Sequence, residues 1–314
     1  MKSALYTKVT FAAIVLFSVS LFGQQDPEYT QYMYNMSVIN PAYSTDDAGI
    51  MNMGAMYRSQ WAGIDGAPET AMFFAHTPVN DQVELGLDIV HDEIGDIVQE
   101  TNLFADFAYK LNITEGSKLA LGLKAGATFF NTDFSGLQLS SGNSSTDPAF
   151  AENINRTYAN IGIGAYYYTD RYYIGLSAPN LLSGKHIEDR EGIQGFGREA
   201  VHYFLTGGYV FDVNPDVKIK PSLMTRAVVG APMTVDLNAN VLLYNKLEAG
   251  LGYRFGDAVS AMANFEIQPG LRVGYAYDYT VSNLGKYSNG SHEVMVLFDL
   301  GLFMPSYMKS PRFF

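Results

Sequence analysis

Residues Pro232 to Tyr244 read PMTVDLNANVLLY, and they alternate almost without fault: Met233, Val235, Leu237, Ala239, Val241 and Leu243 share one face, Thr234, Asp236, Asn238 and Asn240 the other. Successive side chains of an extended chain point to opposite sides, so this stretch is a strand with one greasy and one polar face. The period recurs downstream. Val259, Ala261, Ala263, Phe265 and Ile267 oppose Ser260, Met262, Asn264, Glu266 and Gln268; Val294, Val296, Phe298, Leu300 and Leu302 oppose Glu293, Met295, Leu297 and Asp299. A soluble sandwich alternates too, so the pattern alone does not say whether water or lipid lies outside.

Number and length decide. About fourteen candidate strands of roughly 8 to 14 residues can be marked, whereas soluble strands average ~5 to 6 and membrane strands need ~9 to 11. They run Gly49–Trp61, Glu69–Val79, Gln82–His91, Asp96–Tyr109, Lys118–Asn131, Asn155–Tyr168, Arg171–Ala178, Ala200–Val213, Asp216–Val229, Pro232–Tyr244, Lys246–Phe255, Ala258–Gln268, Gly270–Ser282 and Ser291–Phe303. The expected fold is therefore all-β: a transmembrane antiparallel up-and-down β-barrel, with the even strand count usual in bacteria.

The connections provide an independent check, because such barrels carry tight turns at one end and long loops at the other. The two longest links, Thr132–Ile154 and Pro179–Glu199, both join an odd strand to an even one. Even-to-odd links are short and made of turn formers: Thr169-Asp170, Asn214-Pro215, Asn245-Lys246 and Pro269-Gly270. Both ends of the barrel sequence then share the tight-turn side, which places the N- and C-termini in the periplasm as an expectation. Trp61, at the tip of the first strand, reads as a membrane-interface anchor in preference to a ligand stacker.

The polar face is too ionic for a packed soluble core. Lys218, Lys220 and Arg226 share one face, as do Glu248 and Arg254, Arg272 and Asp278, and Glu84 and Asp88. Buried ions are costly unless paired, whereas opposite signs lining a watery or plugged lumen pair across strands. Composition agrees: 22 Tyr, 20 Phe and 30 Gly accompany only 17% charged residues, against about 25% charged in ordinary soluble domains. The net charge of −12 argues against a nucleic-acid surface, which needs basic clusters. With no cysteine, disulfides, thiolate metal sites and cysteine nucleophiles are excluded as well.

At the amino terminus Lys2 and Lys8 precede the apolar run VTFAAIVLFSVSLF (Val9–Phe22), and the chain turns polar at Gln24. That is the order of a secretory signal. The run is roughly 14 residues, short of the ~20 needed for a membrane anchor. The polar switch points to cleavage after Gly23; cleavage after Ser20, with Ser18 three positions back, fits the small-residue rule better. The expected division is a signal peptide over 1–23, an N-terminal periplasmic or plug segment over 24–48, the barrel over 49–303 and a tail over 304–314. For the second of these, a plug or lead-in is favoured over a periplasmic docking segment.

No catalytic constellation stands out. The histidines are His76, His91, His186, His202 and His292, with no Gly-x-Ser-x-Gly elbow among the serines, and Ser291 and His292 as neighbours point to opposite faces. Asp92, Glu93 and Asp96 are a thin imitation of a calcium loop and read as a solvated turn. Gly162-Ile163-Gly164 lies within a strand, so it is no phosphate cradle; its glycines relieve crowding in a curved wall. No enzyme, metal or cofactor is expected.

The mature N-terminus, Gln25-Asp26-Pro27-Glu28-Tyr29-Thr30-Gln31-Tyr32-Met33-Tyr34-Asn35 followed by Asn40-Pro41-Ala42-Tyr43, resembles the PorP/SprF family of the type IX secretion system. Further blocks are similar in order: Tyr57-Arg58-Ser59-Gln60-Trp61, Gly66-Ala67-Pro68, His202 to Tyr209, Lys220-Pro221-Ser222, Gly274 to Tyr279, Ser291-His292-Glu293 and Ser310-Pro311-Arg312-Phe313. The resemblance implies an integral outer-membrane protein that supports export, surface attachment and gliding motility. Its implied partners are a large secreted surface protein recognised by its C-terminal domain, or other components of the machine, with periplasmic lipoproteins as candidates. The family supplies no catalytic or partner-contact residues to carry over. Phe313 and Phe314 resemble the aromatic ending that barrel-assembly machinery reads, although the last strand ends about ten residues earlier. The residue-level alternative, motivated by the ionic inner face, is a porin-like small-solute channel.

The face assignment makes a direct prediction. Leu121→Arg places a cation in hydrocarbon and is expected to cost roughly 2 to 4 kcal/mol near the midplane, while Gly122→Arg on the polar face costs less where the lumen has room. The folded fraction in detergent, read by heat-modifiable gel mobility, measures the loss; an unchanged fraction for Leu121→Arg contradicts the assignment.

Overall fold

The computed structural model describes residues 27–45, 49–135, 138–139, 142–143, 153–182, 200–229 and 231–301. The expected signal peptide and its cleavage site, the tail from 304 onward with Phe313 and Phe314, and His186 lie outside the described residues.

Fourteen antiparallel strands form one closed barrel with very little helix. They are β1 (Ile50–Ser59), β2 (Pro68–Pro78), β3 (Val83–Ile94), β4 (Val98–Thr114), β5 (Ser117–Thr132), β6 (Asn155–Thr169), β7 (Tyr172–Ala178), β8 (His202–Tyr209, resuming as Phe211–Asn214), β9 (Val217–Val228), β10 (Thr234–Leu243), β11 (Leu247–Arg254), β12 (Ala258–Gln268), β13 (Leu271–Thr280) and β14 (Ser291–Gly301). Each pairs with the next, and β14 returns to β1 in unbroken register from Ile50–Gly301 to Ser59–His292. Closure matters because hydrocarbon offers no partner for an open edge of N–H and C=O groups.

The strands follow the expected ones with local differences. β4 runs to Thr114, since Asn112 still faces Lys118 across the hairpin before the register shifts. β1 stops at Ser59 because Trp61 takes a positive φ of 50°, which turns the chain out of the ladder. β8 breaks at Val210, although its N–H still donates to the Arg171 carbonyl at 2.7 Å in the register of the β7–β8 ladder. A two-residue hairpin, Gln138–Leu139 with Gly142–Asn143, decorates the β5–β6 link.

Side chains sort by face as the alternation requires. Leu123, Leu176 and Leu251 point outward and are 58, 59 and 66% exposed, among dozens of exposed large apolar residues. A water-soluble surface does not carry a continuous apolar band of this kind; a lipid-facing one must. On the inner face Arg58, Lys110, Lys124, Lys220, Glu84, Asp88 and Glu248 are buried.

The ends of the barrel differ. Each even-to-odd turn is short: in β10–β11 Tyr244 and Asn245 both take positive φ, 54° and 55°, the conformation of a tight hairpin turn matched to strand twist. In β12–β13 Gly270 supplies φ 80°. Odd-to-even links include the long segments 133–154 and 179–201. Over the β1–β14 seam two of these links hold each other: Ala62 N–H donates to Gly290 O and Asn289 N–H to Ala62 O, both at 2.7 Å. The start of β1 and the end of β14 sit together at the tight-turn end.

Candidate functional site: the occupied lumen

The interior is filled by the chain's own segment Pro27–Thr45. It contains one 3-10 turn (Tyr32–Tyr34) and a single α-turn (Met36–Ile39). Asn40 then accepts from the Ala42 N–H through Oδ1 at 2.9 Å, folding the chain back on itself before Tyr43. Tyr32, Met33, Tyr34, Met36 and Ile39 are all buried, packed against Met56, Met72, Phe74, Tyr166, Tyr173, Met224, Met262 and Met295 of the wall. Unbranched methionines suit this role, because they fill the irregular gaps between a non-repetitive segment and a regular sheet.

The course of the segment follows from its polar contacts. At the long-loop end Glu28 joins Arg226 near the end of β9 and Arg254 at the end of β11, the latter at 2.9 Å. Next, the Thr30 N–H donates to Glu293 at 2.9 Å, its Oγ1 donates to Asp278 at 2.7 Å, and the same Oγ1 accepts from Arg58 at 3.0 Å. The Gln31 N–H donates to the other Glu293 oxygen at 2.8 Å. Midway, Asn264 donates to the Tyr34 hydroxyl at 2.7 Å, Ser37 donates to Asp88 at 3.0 Å, and Ser177 donates to the Ile39 carbonyl at 2.8 Å. At the tight-turn end the Thr45 N–H and hydroxyl both donate to Glu84, at 2.7 and 2.8 Å. The segment traverses the barrel from one end to the other.

The inward ions that the sequence placed on shared faces are brought together in networks, with partners drawn from neighbouring strands and from the segment. Arg58 contacts Asp278 at 2.8 Å and Glu293 at 3.2 Å, all three side chains nearly fully buried. Arg254 meets Asp236, directly opposite on β10, at 2.6 Å. Lys124 joins Asp88, and Asp106 at 3.3 Å. Glu84 gathers Lys110 at 3.4 Å and His76 at 3.2 Å. Arg272 reaches Glu248 at 3.4 Å, and Lys220 lies over the Tyr34 ring. The ion pairs meet the condition under which buried charge is tolerated, opposite sign at close range, and those of Arg58, Arg254 and Glu84 add hydrogen bonds.

Two glycine readings change with the segment in view. Gly122 faces Pro41 and Ala42 so closely that an added Cβ would collide with their backbone. The lumen has no room there, so Gly122→Arg is not the mild change that the sequence suggests. Gly164 likewise leaves space for the Asn40 side chain, and Gly162 for the Pro179 backbone. The Gly-Ile-Gly pattern thus serves close approach of other chain segments, beyond any curvature of the wall.

The described histidines do not converge. His76 is on Glu84, His91 lies 2.8 Å from Thr101 Oγ1, His202 is buried beside Phe204, and His292 lies 2.6 Å from the Tyr275 hydroxyl. Among the described residues no group of three or more His, Asp or Glu side chains is placed to hold a metal ion, Asp92, Glu93 and Asp96 included. Beside the segment at the long-loop end lies a cavity of about 70 Å³, lined by Tyr29, Ile39, Phe104, Phe204, Met224 and Arg226 among others.

A closed fourteen-stranded barrel with a lipid-ready exterior and a self-filled, ion-paired interior defines an outer-membrane β-barrel protein. Residues 21–298 match the family described as type IX secretion system membrane protein PorP/SprF. The chain belongs to that family and is an outer-membrane component of type IX secretion. No curated protein matches the sequence. Solved structures that resemble it include the outer membrane protein Omp33 of Acinetobacter baumannii, 9% identical, covering 82% of this chain and 100% of that one, TM-score 0.46. A Pseudomonas aeruginosa FadL homologue is 12% identical over 90% of this chain and 96% of that one, TM-score 0.44, and the CymD monoaromatic hydrocarbon channel 12% identical over 88% and 93%, TM-score 0.49. At these values the likeness carries no functional inference.

The Arg58 network ties the segment to the wall, and its loss is measurable. Arg58→Ala leaves Asp278 and Glu293 without their shared cation, and breaking a buried pair typically costs about 3 to 5 kcal/mol. A lower urea midpoint for the detergent-purified barrel is expected, with partial recovery in Arg58→Lys.

Proposed function

We propose that this barrel works as an accessory of type IX secretion that binds a polypeptide partner, either a secreted surface protein through its C-terminal domain or another subunit of the machine, and supports its export or attachment. The observation that carries this reading is the occupied lumen. Pro27–Thr45 fills the interior and its charged neighbours are neutralised in pairs, so the ionic inner face that suggested a porin-like channel serves to hold a segment of the chain. With the passage filled, the surfaces left for a partner in an aqueous phase are the two ends.

The long-loop end is the outer one in this reading and the tight-turn end the periplasmic one, following the usual asymmetry of such barrels. Secreted cargo would be met on the outer side, and periplasmic components on the inner side. The protein acts by binding and positioning, without a catalytic step.

Two measurements test the proposal. Deleting the chain is expected to abolish surface display of type IX cargo while leaving other outer-membrane proteins in place; unchanged display overturns the accessory role. In planar bilayers the intact protein is expected to show no steady conductance, and a persistent open pore returns the channel reading to first place.

A further inference from the structure

The strands that close the barrel, β1 and β14, are the two farthest apart in the chain. Hairpin neighbours are brought together by short turns, but these two meet only after the rest of the sheet is laid down, so their junction bears the largest loss of chain entropy. Its inner face carries a particular set of groups. Arg58 on β1 stands directly opposite Glu293 on β14, and both are buried. The guanidinium reaches Glu293 at 3.2 Å and Asp278, on the adjoining β13, at 2.8 Å.

The segment in the lumen completes that set. The Glu293 carboxylate takes the Thr30 N–H on one oxygen at 2.9 Å and the Gln31 N–H on the other at 2.8 Å. Thr30 Oγ1 donates to Asp278 at 2.7 Å and accepts from Arg58 at 3.0 Å. One residue of the segment is thus bonded to three successive strands, β13, β14 and β1, across the junction. A carboxylate sealed from water needs several donors, and among the described wall residues the donor to Glu293 is Arg58. Nearer the tight-turn end the same junction has a fastener made by the wall alone, Asn52 donating to Asp299 at 2.6 Å.

We infer that the segment is the clasp of the barrel: it docks on the inner face while the sheet is still open, and Thr30 and Gln31 then supply the donors that let β14 close on β1. The order follows from packing. Glu28 is held at the long-loop end and Thr45 at the tight-turn end, and Tyr32, Met33 and Tyr34 between them are 1, 1 and 0% exposed. An interior packed to that density leaves no passage through which aromatic side chains could be drawn after closure. Gly122 points to the same order, because Pro41 and Ala42 occupy the space its side chain would need. The segment is therefore a permanent part of the barrel's stability and not a stopper that is withdrawn, whichever partner the barrel serves.

Two substitutions separate a clasp from ordinary filling. Thr30→Val keeps the shape of the side chain and removes the hydroxyl at the junction; Ser37→Ala removes the segment hydroxyl that donates to Asp88 on β3, away from it. In the detergent-purified full chain, amide hydrogen exchange of β1 and β14 is expected to rise about tenfold in Thr30→Val, the effect of losing one hydrogen bond to a charged group, and to stay at the wild-type rate in Ser37→Ala. Unchanged exchange in Thr30→Val, or an equal rise in both variants, overturns the clasp. If Thr30→Val does not fold, disulfides decide, since the chain has no native cysteine. Ala55 and Val296 lie opposite each other across the junction, as Leu237 and Tyr253 do between β10 and β11. In the Thr30→Val background, a disulfide formed before refolding in the Ala55→Cys/Val296→Cys pair is expected to restore the folded yield, and one in the Leu237→Cys/Tyr253→Cys pair to leave it low. Recovery by both pairs alike, or by neither, overturns the clasp.

Discussion

Hydrocarbon cannot satisfy a peptide group, and that one constraint organises the whole molecule. It forces the sheet to close, so β14 must find β1 along ten consecutive register positions. Closure in turn creates an interior sealed from lipid, and the inner face of every strand has to be reconciled with it. Water in an open pore is one solution. This chain uses another, in which its own amino-terminal segment supplies backbone and side-chain donors to carboxylates on the wall and apolar bulk to the methionines between them.

Ionic groups that read as the lining of a channel therefore have a second role as fasteners. Arg58, Arg254, Lys124 and Glu84 each connect elements distant in sequence, and the segment is attached at both ends as well as along its length. Removing charge from water is costly, so a network of this kind stabilises only when it is complete. In the accessory role proposed above, a partner in an aqueous phase is met at the two ends, since the interior is already taken.

Much of this was legible in the residues, and the reason is geometric. A strand has a period of two whatever surrounds it, and lipid imposes an apolar choice at every second position, so the faces of β10, β12 and β14 can be read directly from sequence. Loop parity was equally legible, because tight hairpin turns require particular residues, such as Asn245 and Gly270 at positive φ. What did not fit that binary pattern was the trace of the segment in the lumen. Met56, Met72, Met224, Met262 and Met295 stand on inner faces otherwise given to Asn, Ser, Thr and ions, and Gly122 and Gly164 leave out side chains where the segment passes. These residues are the signal by which sequence could have reported a filled interior, although none of them says what fills it.

Sequence by itself determined the class of fold, the number of strands, which face meets lipid, and the family, since each is encoded in local alternation or in blocks read in order along the chain. Tertiary structure alone decided that the interior is occupied, which carboxylate each cation meets, and that Glu28 lies at the long-loop end while Thr45 lies at the tight-turn end. Those facts depend on contacts between residues up to 263 positions apart, as between Thr30 and Glu293. No local pattern specifies such a pairing, because many inward ions could satisfy one another equally well until the closed sheet fixes their distances.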